Sequence, residues 1–171
     1  MDWFYIIVIA ALIAGIAWTW RKAIELQRER FIRAYMFPQG LLTKLAQRRP
    51  ALGRKEQQLV ARGLRQFFLA HLKSGRKFVS MPSQVVDDLW HEFILYTRDY
   101  DKFCNTAFGQ FFHHTPAVAL SGDKQNNTGL RRAWWFACLE DNINPRTPSP
   151  PLSPKPSVEP SKLLLEKSPP Q

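Results

Sequence analysis

The chain has 171 residues, of which 45% are hydrophobic, and its formal net charge is +10. This length suits one domain with additional segments, and a basic balance suits nucleic acid, anionic lipid or acidic protein partners. Its two cysteines are too few for a disulfide scaffold, and its 8 glycines form no clustered phosphate loop, which argues against a nucleotide-driven enzyme.

An uncharged apolar run extends from Trp3 to Trp20. A helix rises about 1.5 Å per residue, so this run nearly matches a hydrocarbon core about 30 Å thick. Aromatic side chains near both of its ends suit the membrane interface. Asp2 precedes the run and Arg21 follows it, which predicts the N-terminus outside and the C-terminus in the cytoplasm. We therefore expect residues 1–22 to be a single-pass transmembrane anchor, in a bacterial inner membrane.

Two other interpretations of the apolar run are less well supported. A cleaved signal peptide would carry a basic segment before the run and an Ala-x-Ala site after it, and neither is present. A soluble core helix would have a less uniformly apolar circumference. Small residues within the run are spaced for close helix–helix approach, so a homodimer could form through Ala10, Ala11, Ala14 and Gly15.

Basic residues follow the apolar run, and no helix-breaking residue interrupts residues 23–36. We predict that this segment is a basic juxtamembrane helix that continues the membrane span. Cations at this position are attracted to anionic lipid headgroups. We do not expect nucleic acid to bind, because no recognition motif accompanies the charge. The predicted lipid-surface residues are Arg21, Lys22, Arg28, Arg30 and Arg33.

Apolar residues at helical spacing predict one helical domain over residues 37–143. Only residues 77–79 could form a short strand, and residues 121–127 read as a polar loop. The fold class is therefore all-α, most simply a small irregular bundle. The predicted helices are Leu41–Ala46, Glu56–Leu72 ending at Ser74-Gly75, a segment with Ser83 as its N-cap, a segment ending at Gly109, and a segment capped by Thr128.

Residues 144–171 are rich in Pro, Ser and Lys. Proline at this density prevents helices and strand ladders, so we expect an extended, disordered tail. A polyproline-binding partner could recognise Thr147-Pro148-Ser149-Pro150, although a plain spacer is the simpler interpretation.

Chemically active side chains concentrate between residues 81 and 116. Asp87 and His91 are four residues apart, so they share one helical face and could bind one metal ion. A thiolate or a further imidazole could complete the shell if the chain folds back, and zinc or iron would suit such ligands. The candidate functional residues are Asp87, Trp90, His91, Tyr100, Cys104, His113 and His114.

Each of these residues also has a purely structural interpretation. Asp87 and His91 could hydrogen-bond at the edge of an apolar face, and Cys104 could be a small core residue. His113 and His114 could close a turn. Neither Cys-x-x-Cys nor His-Glu-x-x-His occurs. A nucleophilic Cys104–His pair is conceivable, but no local protease signature supports it.

This segment contains a series of short patterns: Val86-Asp87, Trp90-His91, Leu95, Tyr100, Phe103-Cys104, Phe108-Gly109 and His113-His114 with Pro116. Together they resemble the glycine-rich domain-containing protein-like family, which has no assigned activity. The resemblance implies one helical domain from about Phe37 to Glu140. That family often has Trp-His-x-His, whereas here Phe93 replaces the second His. Because phenylalanine cannot ligate a metal or transfer a proton, this replacement weakens the case for a metal-binding or acid–base role at His91 and Phe93.

Two functional hypotheses follow from these patterns. The first is a non-enzymatic interaction or scaffold module at the inner membrane surface, which binds a protein partner not identified by sequence. The second is a metal-binding or redox-active domain that uses Asp87, His91, Cys104 and His113 or His114. We favour the first, because no motif specifies a reaction.

Overall fold

The computed structural model describes residues 2–81, 83–114 and 123–145. Within these ranges the chain is all-helical, as predicted, and contains no strand. Residues 77–79, where a short strand was possible, have no regular secondary structure. The helices are α1 (Asp2–Ala34), α2 (Leu41–Arg48), α3 (Arg54–Lys73), α4 (Gln84–Leu95), α5 (Thr97–Phe108) and α6 (Asp123–Glu140).

Helix α1 contains both the apolar run and the basic segment that follows it. The side chains from Trp3 to Trp20 are exposed, whereas Ile32 is completely buried near the other end of the helix. The ring of Phe31 lies 5.7 Å from that of Phe103, and Tyr35, just after the helix, lies 4.6 Å from the same ring. One continuous helix therefore joins the apolar run to the core of the domain.

Aromatic side chains from α3, α4 and α5 form the centre of the domain. Phe68 of α3 has its ring 4.8 Å from that of Phe103 and 6.0 Å from that of Trp90. Aromatic rings bury large areas and favour tilted or edge-on contacts at these distances. Phe68, Phe93, Phe103 and Phe108 are among the largest fully buried side chains, and together they connect three helices in one core.

Most of the predicted helix boundaries are confirmed. Helix α2 buries Leu41 and Leu45, one turn apart, against the domain. Helix α5 ends at Gly109, whose φ of 73° lies in the left-handed region that glycine adopts without a steric penalty. Ser83 occupies the N-cap position of α4, as predicted, but its side chain makes no capping hydrogen bond.

The prediction for the start of α6 was wrong. This helix begins at Asp123, so residues 123–127 are helical and Thr128 lies inside the helix instead of capping it. Residues 123–128 are all polar, so no apolar periodicity marked them as helical. Within α6, Gly129 is buried, and a Cβ atom there would lie 2.8 Å from the backbone nitrogen of Ser80, so the helix packs closely on the segment after α3.

Three expectations from the sequence stay predictions. The tail from residue 146 onward, including the sequence at Thr147, lies outside the described residues. The proposed domain boundaries remain predictions. Homodimerisation through the small residues of α1 also remains a prediction, because the structure contains one chain.

Candidate functional site

Asp87 and His91 lie one turn apart on α4. The Nδ1 atom of His91 is 2.8 Å from the backbone carbonyl oxygen of Asp87 and 3.6 Å from its carboxylate oxygen Oδ2. A carbonyl oxygen can only accept a hydrogen bond, so this contact places the proton on Nδ1. The Nε2 lone pair of His91 is then available to another group.

His114 reaches the same place from the segment that follows α5. Its Nε2 atom is 3.0 Å from Oδ1 of Asp87, and its ring centroid is 4.2 Å from that of His91. One potential ligand atom from each of the three residues lies within 4.8 Å of the other two. Among the described residues, this is the one such group of His, Cys, Asp and Glu side chains.

A buried hydrogen-bond network holds the segment that carries His114. The indole Nε1–H of Trp90 donates to the Tyr100 hydroxyl over 3.1 Å, and that hydroxyl donates to the carbonyl oxygen of Phe112. The Trp90 ring also lies 4.5 Å from the ring of His114. Burial raises the pKa of Tyr100, which keeps its hydroxyl protonated as a donor. Trp90 and Tyr100 therefore act as positioning residues for His114.

Tyr100→Phe is expected to destabilise the domain by about 1–3 kcal/mol, because the Phe112 carbonyl and the Trp90 indole both lose a buried partner. Urea denaturation in detergent would measure the change. Tyr96→Phe is the matched control, since Tyr96 is only partly buried. Equal stability of the Tyr100 and Tyr96 variants would mean that the network contributes little.

Cys104 and His113 do not belong to this group. Cys104 is fully buried, and burial raises the pKa of its thiol; the backbone of Phe112 and the side chain of Tyr100 are its hydrogen-bonding neighbours. A buried protonated thiol is a poor nucleophile and a poor metal ligand, so a Cys104–His pair has no support here. His113 is exposed, and its ring lies 4.8 Å from that of Phe111.

His71 is a buried histidine that we did not single out from sequence. Its ring stacks on Phe112 with centroids 4.0 Å apart, and its Nδ1 atom is 3.2 Å from the Lys77 carbonyl oxygen. It follows Leu64, Phe67 and Phe68 at helical spacing, and that spacing could have identified it as a core residue. Burial lowers its pKa below the ordinary value for histidine.

The lowered pKa of His71 predicts acid destabilisation. The unfolded chain binds a proton at His71 near pH 6.5, whereas the folded chain resists it. His71 therefore does not lower the free energy of unfolding above about pH 6.5. Below that pH, the free energy of unfolding falls as the pH approaches the lower pKa that His71 has in the folded chain. Melting temperatures between pH 7.5 and 5.5 should fall less for His71→Leu than for the natural chain. Parallel pH profiles would contradict this role of burial.

Asp88 and Glu92, the other acidic residues of α4, form ion pairs with two arginines at the C-terminal end of α2. Arg49 lies 2.8 Å from Asp88, and Arg48 lies 3.4 Å from Glu92. These ion pairs attach α2 to the face of α4 next to the histidines. Asp87 is thus the carboxylate of α4 that faces His91 and His114.

A family model described as UCP032817-like matches residues 27–152, which is well over half of the chain. The chain belongs to the UCP032817-like family. No curated protein and no solved structure matches it.

This finding corrects the resemblance inferred from sequence, because the family shown is uncharacterised and is not the glycine-rich domain-containing family. Four residues of those short patterns, Trp90, Tyr100, Phe103 and Phe108, are buried aromatic core residues, which core packing alone can produce. The UCP032817-like match includes Asp87, His91 and His114, together with the basic end of α1. The apolar part of α1 lies before it.

The five basic residues of α1 that were predicted to face lipid have different environments in this UCP032817-like chain. Arg33 is ion-paired with Glu140, and Lys22 lies 2.9 Å from Glu25, so both have partners within the chain. The guanidinium of Arg28 packs over Gly109. Arg21 and Arg30 are exposed on α1, and contact of these residues with lipid stays a prediction.

Proposed function

We propose that this UCP032817-like protein is a single-pass membrane protein whose helical domain is held at the cytoplasmic surface as an interaction module. One observation carries the proposal: α1 is apolar and unburied in its first half, and it packs into the domain core at its other end. Such a helix suits an anchor with a domain attached. No reaction is part of this proposal.

The exposure of the apolar run supports a membrane environment. In the described residues α1 is the one helix long and apolar enough to span a membrane, with a mean hydropathy of 2.0 and none of its most apolar window buried. Leaving this surface in water would cost about 25 cal/mol for each Å² of apolar area. A core helix of a soluble domain would instead be covered by its neighbours.

The continuity of α1 supports a retained anchor over a cleaved signal sequence. A signal peptide is removed from the mature protein and does not need to pack on the domain. Here the same helix brings Phe31 and Ile32 into the core. The charges on its two flanks support an outside N-terminus, since Arg21 and Lys22 follow the span and Asp2 precedes it.

Alkaline carbonate extraction tests the anchor, followed by intact mass measurement of the membrane fraction. We expect the full-length chain in the membrane pellet, with its mass unreduced. A soluble protein of full mass would indicate a core helix, and a protein shortened near Trp18 would indicate a cleaved signal sequence. Either result would overturn the proposed anchor.

Exposed large apolar side chains of α6 support an interaction role. Trp134 is 53% exposed, and Trp135, Leu130 and Leu139 are also exposed. Large aromatic side chains with this much accessible surface are enriched at protein interfaces. A photo-crosslinking amino acid at Trp134 should yield one defined adduct in membranes, whereas the same probe at exposed Leu95 should not. Identical adduct patterns, or none, would argue against a partner on α6.

A further inference from the structure

We propose that Asp87, His91 and His114 bind one divalent transition-metal ion of the zinc or iron(II) class. This site does not depend on the membrane anchor or on the exposed side chains of α6. Of the five possible metal ligands predicted from the sequence, the proposed site keeps three, because Cys104 and His113 lie outside this group.

The spacing of the ligand atoms suits such an ion. Metal–ligand bonds of about 2.0–2.2 Å in a tetrahedral shell separate neighbouring ligand atoms by roughly 3.3–3.5 Å. The Nε2 atom of His114 and the Oδ1 atom of Asp87 are 3.0 Å apart, and one potential ligand atom from each of the three residues lies within 4.8 Å of the other two. A carboxylate accepts hydrogen bonds, so the hydrogen of this contact lies on Nε2 of His114, and metal binding at Nε2 would release that proton to solvent. The side chain of His91 is 45% exposed, so an ion can reach this ligand from solvent.

Two of the ligands are oriented by surrounding groups. A metal-binding histidine commonly donates its second ring N–H to a carbonyl or carboxylate, which fixes its tautomer. His91 makes this contact with the Asp87 carbonyl oxygen over 2.8 Å. His114 is only 12% exposed, and the Trp90 ring lies beside it. The site is therefore half enclosed, with its open side at His91.

The types of ligand determine the class of ion. Two imidazoles and one carboxylate suit zinc or iron(II), whereas calcium and magnesium prefer oxygen ligands throughout. Three protein ligands also leave coordination positions open to water or another small molecule. The same side chains without a metal would form an Asp87–His114 hydrogen bond, which does not require the side chain of His91. His91 therefore distinguishes the two interpretations.

Metal binding can be measured on the full-length chain in detergent, after chelator treatment and dialysis. Calorimetric titration with Zn²⁺, and the visible absorption of added Co²⁺, would report stoichiometry and nitrogen ligation. We expect one equivalent per chain and no binding of Mg²⁺. His91→Ala and Asp87→Asn should each weaken Zn²⁺ binding by more than about 100-fold. Loss of a residue that only hydrogen-bonds to a metal ligand typically weakens binding by about 10–100-fold, so a larger effect indicates direct ligation. His113→Ala is the matched control and should bind like the natural chain.

Two results would overturn the proposal. The first is no bound Zn²⁺ or Fe²⁺ in the natural chain, with Fe²⁺ titrated anaerobically. The second is unchanged affinity in His91→Ala, which would place any bound ion elsewhere. Far-UV circular dichroism confirms that each variant is folded. If Asp87→Asn loses structure with its His114 contact, the exposed His91 variant still decides the outcome.

Discussion

Phe103→Ala is expected to lower the free energy of unfolding by about 3–5 kcal/mol, as truncation of a fully buried aromatic side chain usually does. The cavity would lie where α1 joins the domain. Loss of this side chain should therefore loosen the C-terminal end of α1 as well as the core. The Phe103 ring contacts aromatic rings from α1 or its end, α3, α4 and α5: Phe31, Tyr35, Phe68, Phe93 and Phe108.

Phe111→Ala provides the control, because Phe111 is 42% exposed and should cost less than about 1 kcal/mol. Denaturant titration in detergent gives both values. Hydrogen exchange of the α1 segment after Trp20 would report whether that segment loosens in Phe103→Ala. Equal stabilities for the two variants would show that the α1–domain contact is not formed by this aromatic cluster.

Leu12→Arg is expected to reduce the membrane-integrated fraction of the protein strongly. Leu12 lies near the middle of the apolar run, where an arginine costs about 2.5–3.5 kcal/mol of insertion free energy. The carbonate-resistant fraction of newly made protein measures the effect. The domain itself should stay folded, since Leu12 is exposed on α1 and far along the chain from the core residues.

Thr19→Arg introduces the same charge near the end of the run, where a long side chain can reach the interface. We expect this variant to integrate nearly as well as the natural chain. Equal behaviour of the two variants, whether both integrate or both stay soluble, would indicate that the apolar run is not centred in a bilayer.

Helix positions could be predicted where the spacing of apolar residues agrees with residues that favour a helix end. The spacing of Leu64, Phe67 and Phe68 indicated α3, and Gly109 marked the end of α5. The start of α6 could not be predicted, because residues 123–128 are all polar and show no apolar periodicity.

The candidate site was predictable only in part. The four-residue spacing of Asp87 and His91 indicated a shared face from sequence alone. Nothing local distinguished His113 from His114, although one is exposed and the other reaches Asp87. Likewise, the sequence could not show that Cys104 points into the core, where Tyr100 and Phe112 surround its thiol.

Helix α5 contacts both the C-terminal end of α1 and the segment that leads to the candidate metal site. Its Phe103 packs on the end of α1, and its Tyr100 holds the segment that leads to His114. The two side chains are one turn apart on the same helix. Damage to α5 should therefore affect both the attachment of the domain and the position of His114.

Cysteine labelling in sealed right-side-out membrane vesicles tests most directly whether the domain lies on the inner side. Leu95 is 70% exposed and provides a reporter in the domain, and Asp2 provides one at the other end of the span. With an impermeant maleimide, Asp2→Cys should react in intact vesicles. Leu95→Cys should react only after permeabilisation. Reaction of Leu95→Cys in intact vesicles, or its recovery in the soluble fraction, would contradict a cytoplasmic domain anchored by α1.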